Sequence, residues 1–323
     1  MKIGFVGLGN MGTGMANNIL KKIDNKSDLY VYTRTLDKIK NFTSQGASGC
    51  TSIKEITTSV DVLLTCLPNV ETSRELFMGN DGIFEYSNSK QVLVDHSTVD
   101  VKTSKDCFNY AQSKGFNFLD APISGGPGGA ADGTLTIMVG GEEQSFNFAK
   151  EAFNMMGSKI SHMGPSGAGT AMKLVNQLLV STNTVAAAEA FVLAEQSGVN
   201  LNAAIDILST SWGRSTMIER NGPITVKKEF ENSPAPLRNL VKDLGIIKEL
   251  TTQLGLKLPV TMASSDVVDE TMGLNLEEPD IAATALSIKK ISNIEWKFIN
   301  ILRYIFSKNK IYPKMLHIIL FSL

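Results

Sequence analysis

Lys173 is the only Asp, Glu, Lys or Arg between Lys159 and Glu189. The chain around it reads Ala171-Met172-Lys173-Leu174-Val175-Asn176-Gln177-Leu178-Leu179, an apolar helical pattern. Asn176 and Gln177 stand at i+3 and i+4, so a helix would place all three polar groups on one face. A lysine taken into such surroundings loses the hydration of its ammonium. Its pKa then falls toward the range where it can give and take a proton near neutral pH. The competing reading is a lysine that snorkels to water from a first helical turn.

Two glycine-rich stretches could hold the rest of a reaction. In Asp120-Ala121-Pro122-Ile123-Ser124-Gly125-Gly126-Pro127-Gly128-Gly129 a strand runs into glycines beside a serine. Consecutive free N–H groups there would make a concave site for an anion such as a carboxylate, or the stretch is simply a flexible loop. Near the start, Gly7-Leu8-Gly9-Asn10-Met11-Gly12 fits G-x-G-x-x-G between a short apolar strand and a helical pattern. In that context Gly7 permits the tight turn, Gly9 lets the backbone approach a pyrophosphate, and Gly12 lets helix and strand pack closely. The positive end of the helix then faces the phosphates.

The end of the second strand speaks to which dinucleotide would bind. An NAD site usually places an acid there, roughly 20 residues past the loop, for the ribose 2′-hydroxyl. This chain has Thr33-Arg34-Thr35 instead. A guanidinium suits a 2′-phosphate, which a carboxylate would repel. NADP(H) is therefore favoured, with NAD(H) as the alternative.

The elements that must position these residues follow from the hydrophobic rhythm. Ile3–Gly7, Leu29–Thr33, Val62–Leu67, Val92–Asp95, Phe116–Asp120 and Leu135–Val139 are short apolar runs separated by helical patterns. Such runs are what parallel strands covered on both faces show, and the βαβα alternation predicts a doubly wound α/β sheet of the Rossmann type. After Gly164-Pro165-Ser166-Gly167-Ala168-Gly169 the pattern turns helical, over Thr170–Gly198, Leu201–Ser209, Leu237–Leu254 and Val260–Met272. The expected organisation is a dinucleotide-binding domain over 1–165 and an all-α C-terminal domain over 166–287. From Ile288 to Leu323 there is no Ala, Gly, Val, Thr, Asp, Gln or Cys. That tail is either a further packed helix or a segment foreign to the domain, such as read-through of A/T-rich sequence.

The composition narrows the field. A net charge of −1, with 43% hydrophobic and 20% charged residues, gives no electrostatic footprint for nucleic acid or an anionic membrane. The expected partner is a small molecule. Cys50, Cys66 and Cys107 are scattered, and the histidines are His96, His162 and His317. Neither a disulfide framework, a metal centre nor a Ser–His–Asp triad is expected. The apolar stretch Leu302–Leu323 is broken by Lys308, Lys310, Pro313 and Lys314 and falls short of the ~20 residues of a membrane span. Met1-Lys2 leads straight into a strand, so the expected location is the cytoplasm.

Taken in order, the blocks Gly7–Gly12, Asp120–Gly126, Gly167–Lys173 with Asn176, and Lys242-Asp243-Leu244 resemble the β-hydroxyacid dehydrogenase family. Its members include 3-hydroxyisobutyrate dehydrogenase and tartronate semialdehyde reductase, and the resemblance runs from Met1 to about Ile288. It implies an oxidoreductase that interconverts a small 3-hydroxy acid and its semialdehyde, with Lys173 as catalytic acid/base. Ser124, Gly125, Gly126 and Asn176 match residues that hold the substrate's carboxylate and hydroxyl. Leu67, Pro68 and Thr98 match cofactor contacts, and Lys242 matches a lysine near the nicotinamide. A homo-oligomer is implied as well.

The chain departs from the family in two places. Many members have Asn-Asn where this chain has Asn176-Gln177, and the glutamine resembles the tartronate semialdehyde reductases. The segment Pro234-Ala235-Pro236-Leu237 lacks a phenylalanine that some members place before the Lys-Asp pair. His96 fills a variable slot and reads as a strand-end residue. A 6-phosphogluconate-type enzyme, an imine reductase or a catalytically silent dinucleotide-binding module would share the first domain. Retention of Lys173 weighs against the last two.

Overall fold

A computed structural model describes residues 1–232 and 234–294. Nine strands form one sheet: β1 (Ile3–Val6), β2 (Leu29–Tyr32), β3 (Ser48–Gly49), β4 (Val62–Thr65), β5 (Val92–Asp95), β6 (Asn117–Asp120), β7 (Ile123–Ser124), β8 (Leu135–Gly140) and β9 (Gly157–Gly164). Their order is β3-β2-β1-β4-β5-β6-β8-β7, with β9 along the other side of β8. The path reverses direction at β1, between β2 and β4, which is where doubly wound sheets open a crevice for ligand.

Register decides what that crevice contains. Val6 lies level with Tyr32 and with Thr65, Thr65 with Asp95, and Asp95 with Asp120. Every loop singled out in the first domain leaves the sheet from this one edge: Gly7 after β1, Thr33 after β2, Leu67 after β4, Thr98 after β5 and Ser124 beyond β6. A one-residue slip in any pairing would turn that strand's side chains to the opposite face.

Burial on both faces explains why the strands read as unbroken apolar runs. Ile3, Phe5, Val31, Leu64 and Val94 pack under Met15 and Ile19, while Leu63, Leu93 and Phe118 pack against Phe77 and Phe84 on the other side. At about 1.5–3 kcal/mol for each large apolar side chain, these two layers are the main source of the domain's stability.

Four strands depart from expectation. The Leu135–Val139 run is a strand, but it pairs antiparallel with β6 and β7. The two-residue β3 and β7 are too short to leave a pattern. β9 (Gly157-Ser158-Lys159-Ile160-Ser161-His162-Met163-Gly164) is largely exposed or half-buried, so it carries no apolar run.

The C-terminal domain is helical: Ala168–Gln196, Leu201–Thr210, Thr216–Lys227, Leu237–Gln253, Pro259–Met272 and Thr284–Ile291. The 29-residue helix Ala168–Gln196 begins two residues earlier than its pattern predicts and packs against the other five. Among the described residues it is the one helix long and apolar enough to cross a membrane. Thr216–Lys227 was not expected, because Asn221-Gly222-Pro223 reads as a helix breaker, yet the helix runs through them. The expected tail boundary at Ile288 falls inside Thr284–Ile291, where Ile288 packs against the cluster of Val185, Leu240 and Leu244. Residues 295–323, with Trp296, Phe298, Tyr304 and Phe306, lie outside the described residues.

Candidate active site

The glycine loop is shaped by its own packing and leaves one side open. Gly7 has φ +98°, and its N–H donates to the Tyr32 carbonyl at 3.1 Å. A Cβ on Gly7 would sit 2.4 Å from the Cys66 carbonyl oxygen, and one on Gly12 only 2.0 Å from that of Gly7. A Cβ on Gly9 would meet nothing within 4 Å beyond its own chain neighbours, so this side of the loop is open to an approaching ligand. The helix Asn10–Lys22 that follows has no capping side chain and no acid in its first turn. Its leading N–H groups are therefore free for an anion. Asn10 and Gly9 are exposed and Met11 half-buried, but the Leu8 side chain is buried in the core, so Leu8 can offer only its backbone.

Beyond β2, Arg34 is exposed and Thr33 half-buried. A second cation stands nearby that sequence reading passed over: Lys38 Nζ donates to the Leu8 carbonyl at 2.8 Å. The signal was available, since Lys38 is one helical turn past Arg34 at the start of the helix Leu36–Thr43.

One buried carboxylate organises the ends of β4 and β5. Asp95 accepts from the Thr65 hydroxyl at 2.9 Å, from the Ser97 N–H at 2.9 Å and from the Ser73 hydroxyl. Ser97 Oγ in turn accepts from the Leu67 N–H at 2.9 Å. Leu67 is thereby held beside Gly7, and Pro68 and Thr98 follow in the loops after β4 and β5. His96 points into the protein: Nδ1 donates to the Ala121 carbonyl at 2.6 Å, and burial drives its pKa down to about 4. A neutral, buried imidazole is a strand-end residue, as expected. Burial also lifts the Cys66 thiol to about 12, which keeps it protonated and poorly nucleophilic.

Lys173 is buried, with 7% of its surface exposed. Snorkelling is excluded. Burial is the main cause that lowers its pKa to about 8; nearby Lys242 adds to the fall and Asp243 opposes it. Its Nζ donates to Gln177 Oε1 at 2.8 Å, and Gln177 Nε2 donates to Asp243 Oδ2 at 2.5 Å. Asn176 Nδ2 donates to the same Gln177 Oε1 at 2.9 Å and reaches Ser124 Oγ at 3.5 Å. The expected face of Lys173, Asn176 and Gln177 therefore exists and meets Ser124. Lys242 bridges the domains, donating to the Thr98 carbonyl at 3.0 Å while pairing with Asp243 Oδ1 at 3.1 Å.

The glycines after Ser124 do not form a long open loop. Gly125 and Gly126 turn the chain with φ +131° and +63°, and Gly126–Asp132 is a short helix. Gly125 and Gly126 are exposed next to Ser124. Sequence reading gave no role to Asp243, whose partner Gln177 is 66 residues away in the chain.

A Rossmann-type nucleotide site, joined to a helical domain that brings a buried lysine to its edge, defines an NAD(P)-dependent oxidoreductase. Residues 2–164 match the NAD-binding domain of 6-phosphogluconate dehydrogenase, and residues 167–286 match the NAD-binding domain of NADP-dependent 3-hydroxyisobutyrate dehydrogenase. The chain belongs to the β-hydroxyacid dehydrogenase family. It is 32% identical over 285 residues to 2-(hydroxymethyl)glutarate dehydrogenase of Eubacterium barkeri, covering 88% of this chain and 93% of that one. Over 268 residues it is 32% identical to the mitochondrial 3-hydroxyisobutyrate dehydrogenase of Rattus norvegicus, covering 81% and 78%. Among solved structures, 3-hydroxyisobutyrate dehydrogenase from Salmonella typhimurium superposes with a TM-score of 0.79 at 26% identity, covering 88% and 98%.

Proposed function

We propose that this chain interconverts a small 3-hydroxy carboxylic acid and its semialdehyde, prefers NADP(H), and uses Lys173 as general acid and base. The observation that carries the reading is the placing of Lys173. It is a buried amine of lowered pKa, held by Gln177 and set beside Asn176 and Ser124 at the edge of the nucleotide crevice.

The dinucleotide would lie with its phosphates on Gly9–Gly12, its ribose near Thr33 and Arg34, and its nicotinamide end toward Leu67, Pro68, Thr98 and Lys242. When bound, it accepts or supplies the hydride. The chain's own residues do the rest. Ser124 Oγ with the Gly125 and Gly126 backbone holds the substrate carboxylate, and Asn176 orients the hydroxyl. In reduction the Lys173 ammonium donates a proton to the oxygen as it gains negative charge. In oxidation the neutral Lys173 amine takes the hydroxyl proton. Positioned acid–base help of this kind is typically worth ~10²–10⁴ in rate, and the nearby ammonium also stabilises the developing alkoxide.

Self-association belongs to the same reading. It is supported by Met172, Val175, Leu179 and Leu193, large apolar residues left exposed along the long helix.

The test is turnover of the purified chain on a panel of 3-hydroxy acids and semialdehydes, with NADP(H) and NAD(H) in parallel. Turnover of at least one such pair is expected. Binding of dinucleotide with no turnover across the panel would overturn the reading.

A further inference from the structure

Asp120 is the last residue of β6 and is almost fully buried, yet no ligand-holding part is assigned to it. Its carboxylate faces the start of the helix Ala168–Gln196. Oδ1 accepts from the Gly167 N–H at 2.7 Å and from the Ser166 hydroxyl at 3.4 Å, and Oδ2 accepts from the Thr170 N–H at 2.8 Å. The first N–H groups of a helix have no partner within it, and Gly167, the residue before the helix, has no side chain with which to cap it. Asp120 is therefore a cap supplied from another element, 47 residues away in sequence. Every contact to its oxygens is a donor, which favours the ionised form against the burial that pushes its pKa up.

The junction is built to no tolerance. Asp120 pairs in register with Gly140, and a Cβ on Gly140 would lie 2.7 and 2.8 Å from the two carboxylate oxygens. A Cβ on Gly169, in the first turn of the helix, would lie 2.3 Å from the Met138 carbonyl oxygen and 2.8 Å from that of Asp120. The Thr170 and Ser104 hydroxyls, 2.8 Å apart, close the other side. Strand and helix meet backbone to backbone, and the carboxylate is what ties them.

What leaves this junction matters for the reaction. Four residues after Asp120 the chain reaches Ser124, and three residues after Thr170 the helix reaches Lys173. We propose that Asp120 is the positioning residue that sets the separation between Lys173 and Ser124, by capping the helix that carries one from the strand that leads to the other. It touches neither substrate nor dinucleotide. This inference rests on the reading of Lys173 and Ser124 as two ends of one substrate site. Asp95 does comparable work at the dinucleotide end, but its bonds stay within the first domain.

The test uses the full chain with Asp120→Asn, and Asp120→Ser should the first not fold. An amide in place of the carboxylate points an NH2 group at an N–H donor, so one of the two capping bonds is lost. Expected is a kcat per NADPH-binding site at least tenfold lower, since displacement of about 1 Å can cost ~10²-fold, with the NADPH Kd unchanged. Amide exchange over residues 166–176 should quicken, while exchange over residues 7–12 stays as in the parent chain. A purely structural role would lower the melting point and leave kcat per binding site alone. A loss of less than tenfold, an NADPH affinity that falls in step, or unchanged exchange over 166–176 would overturn the proposal. Lys173→Ala, measured alongside, separates the two ideas. If it keeps the parent rate, the lysine reading fails by itself, and the exchange result still decides whether Asp120 holds the helix.

Discussion

Gln177 Nε2 donates to Asp243 Oδ2 at 2.5 Å, and this contact settles which way the amide faces. A carboxylate can only accept, so the NH2 group must turn to Asp243 and the Oε1 must turn to Lys173. Lys173 consequently presents an N–H to an oxygen that also receives Asn176. Because Asp243 favours the ammonium while burial and Lys242 oppose it, the pH profile is predicted. Reduction needs the protonated amine and should fall as pH rises through about 8; oxidation needs the neutral amine and should rise through the same value. Asp243→Asn removes the one group that raises the Lys173 pKa, so both limbs should move acidward. Steady-state kcat against pH checks this. A limb that stays put in the variant would show that another group carries the proton.

A buried ammonium is a cost to the fold. The folded-state pKa of Lys173 lies below its ordinary value, so below pH 8 the native state holds a charge that burial disfavours. Above about 8 the penalty fades, because the unfolded chain then binds more protons than the native one. Lys173→Met should therefore raise stability at pH 7 by on the order of 1–3 kcal/mol, a few degrees in Tm, while abolishing turnover. Gln177 Oε1 would keep Asn176 as a donor, so no acceptor is orphaned. Thermal melts with NADPH fluorescence titration provide the check. A melting point lowered by several degrees would contradict the burial argument.

Much of this site was legible because the informative features are local. Lys173, Asn176 and Gln177 are one turn of one helix, and the Gly7–Gly12 loop is a contiguous turn between a strand and a helix. Asp120 and Asp243 could not be given roles from the chain, since their partners lie 47 and 66 residues away and depend on how the helices dock on the sheet. β9 escaped notice because its residues are mostly exposed or half-buried and it is bulged against β8. Thr216–Lys227 was hidden by Pro223, which that helix tolerates. Lys38 is different. It lies one turn past Arg34 and was readable, but a lysine at the start of an amphipathic helix resembles any solvated one.

Those two cations lead to a prediction on cofactor choice. Arg34 follows β2 with no acid beside it, and Lys38 stands over the Leu8 carbonyl at 2.8 Å. Both favour the extra dianion of a 2′-phosphate, so NADP(H) should be preferred by at least tenfold, or ~1.4 kcal/mol. Arg34→Asp should erase the preference and Lys38→Ala should reduce it, each with little effect on kcat. Catalytic efficiencies with both dinucleotides decide the matter. Equal values in the unmodified chain would sink the idea.

The last prediction concerns where the chain can be shortened. Composition changes at Ile288, which suggests a cut after Ser287, but the helix Thr284–Ile291 continues across that point. Ile288 packs against the cluster of Val185, Leu240, Leu244 and Val268, Lys289 pairs with Glu195, and Lys290 pairs with Glu270 at 2.5 Å. The Lys290–Glu270 pair is at the surface and contributes little, whereas Lys289 is half-buried. The isoleucine is the larger loss, about 1–2 kcal/mol for a partly buried branched side chain. A chain ending at Ile294 keeps all three contacts and every block matched to the family, so it should retain full turnover and a melting point within about two degrees of the parent. A chain ending at Ser287 should stay active at low temperature but melt several degrees lower. Thermal melts and turnover on the three lengths test this together. Lost activity in the chain ending at Ile294 would show that residues 295–323 serve the reaction.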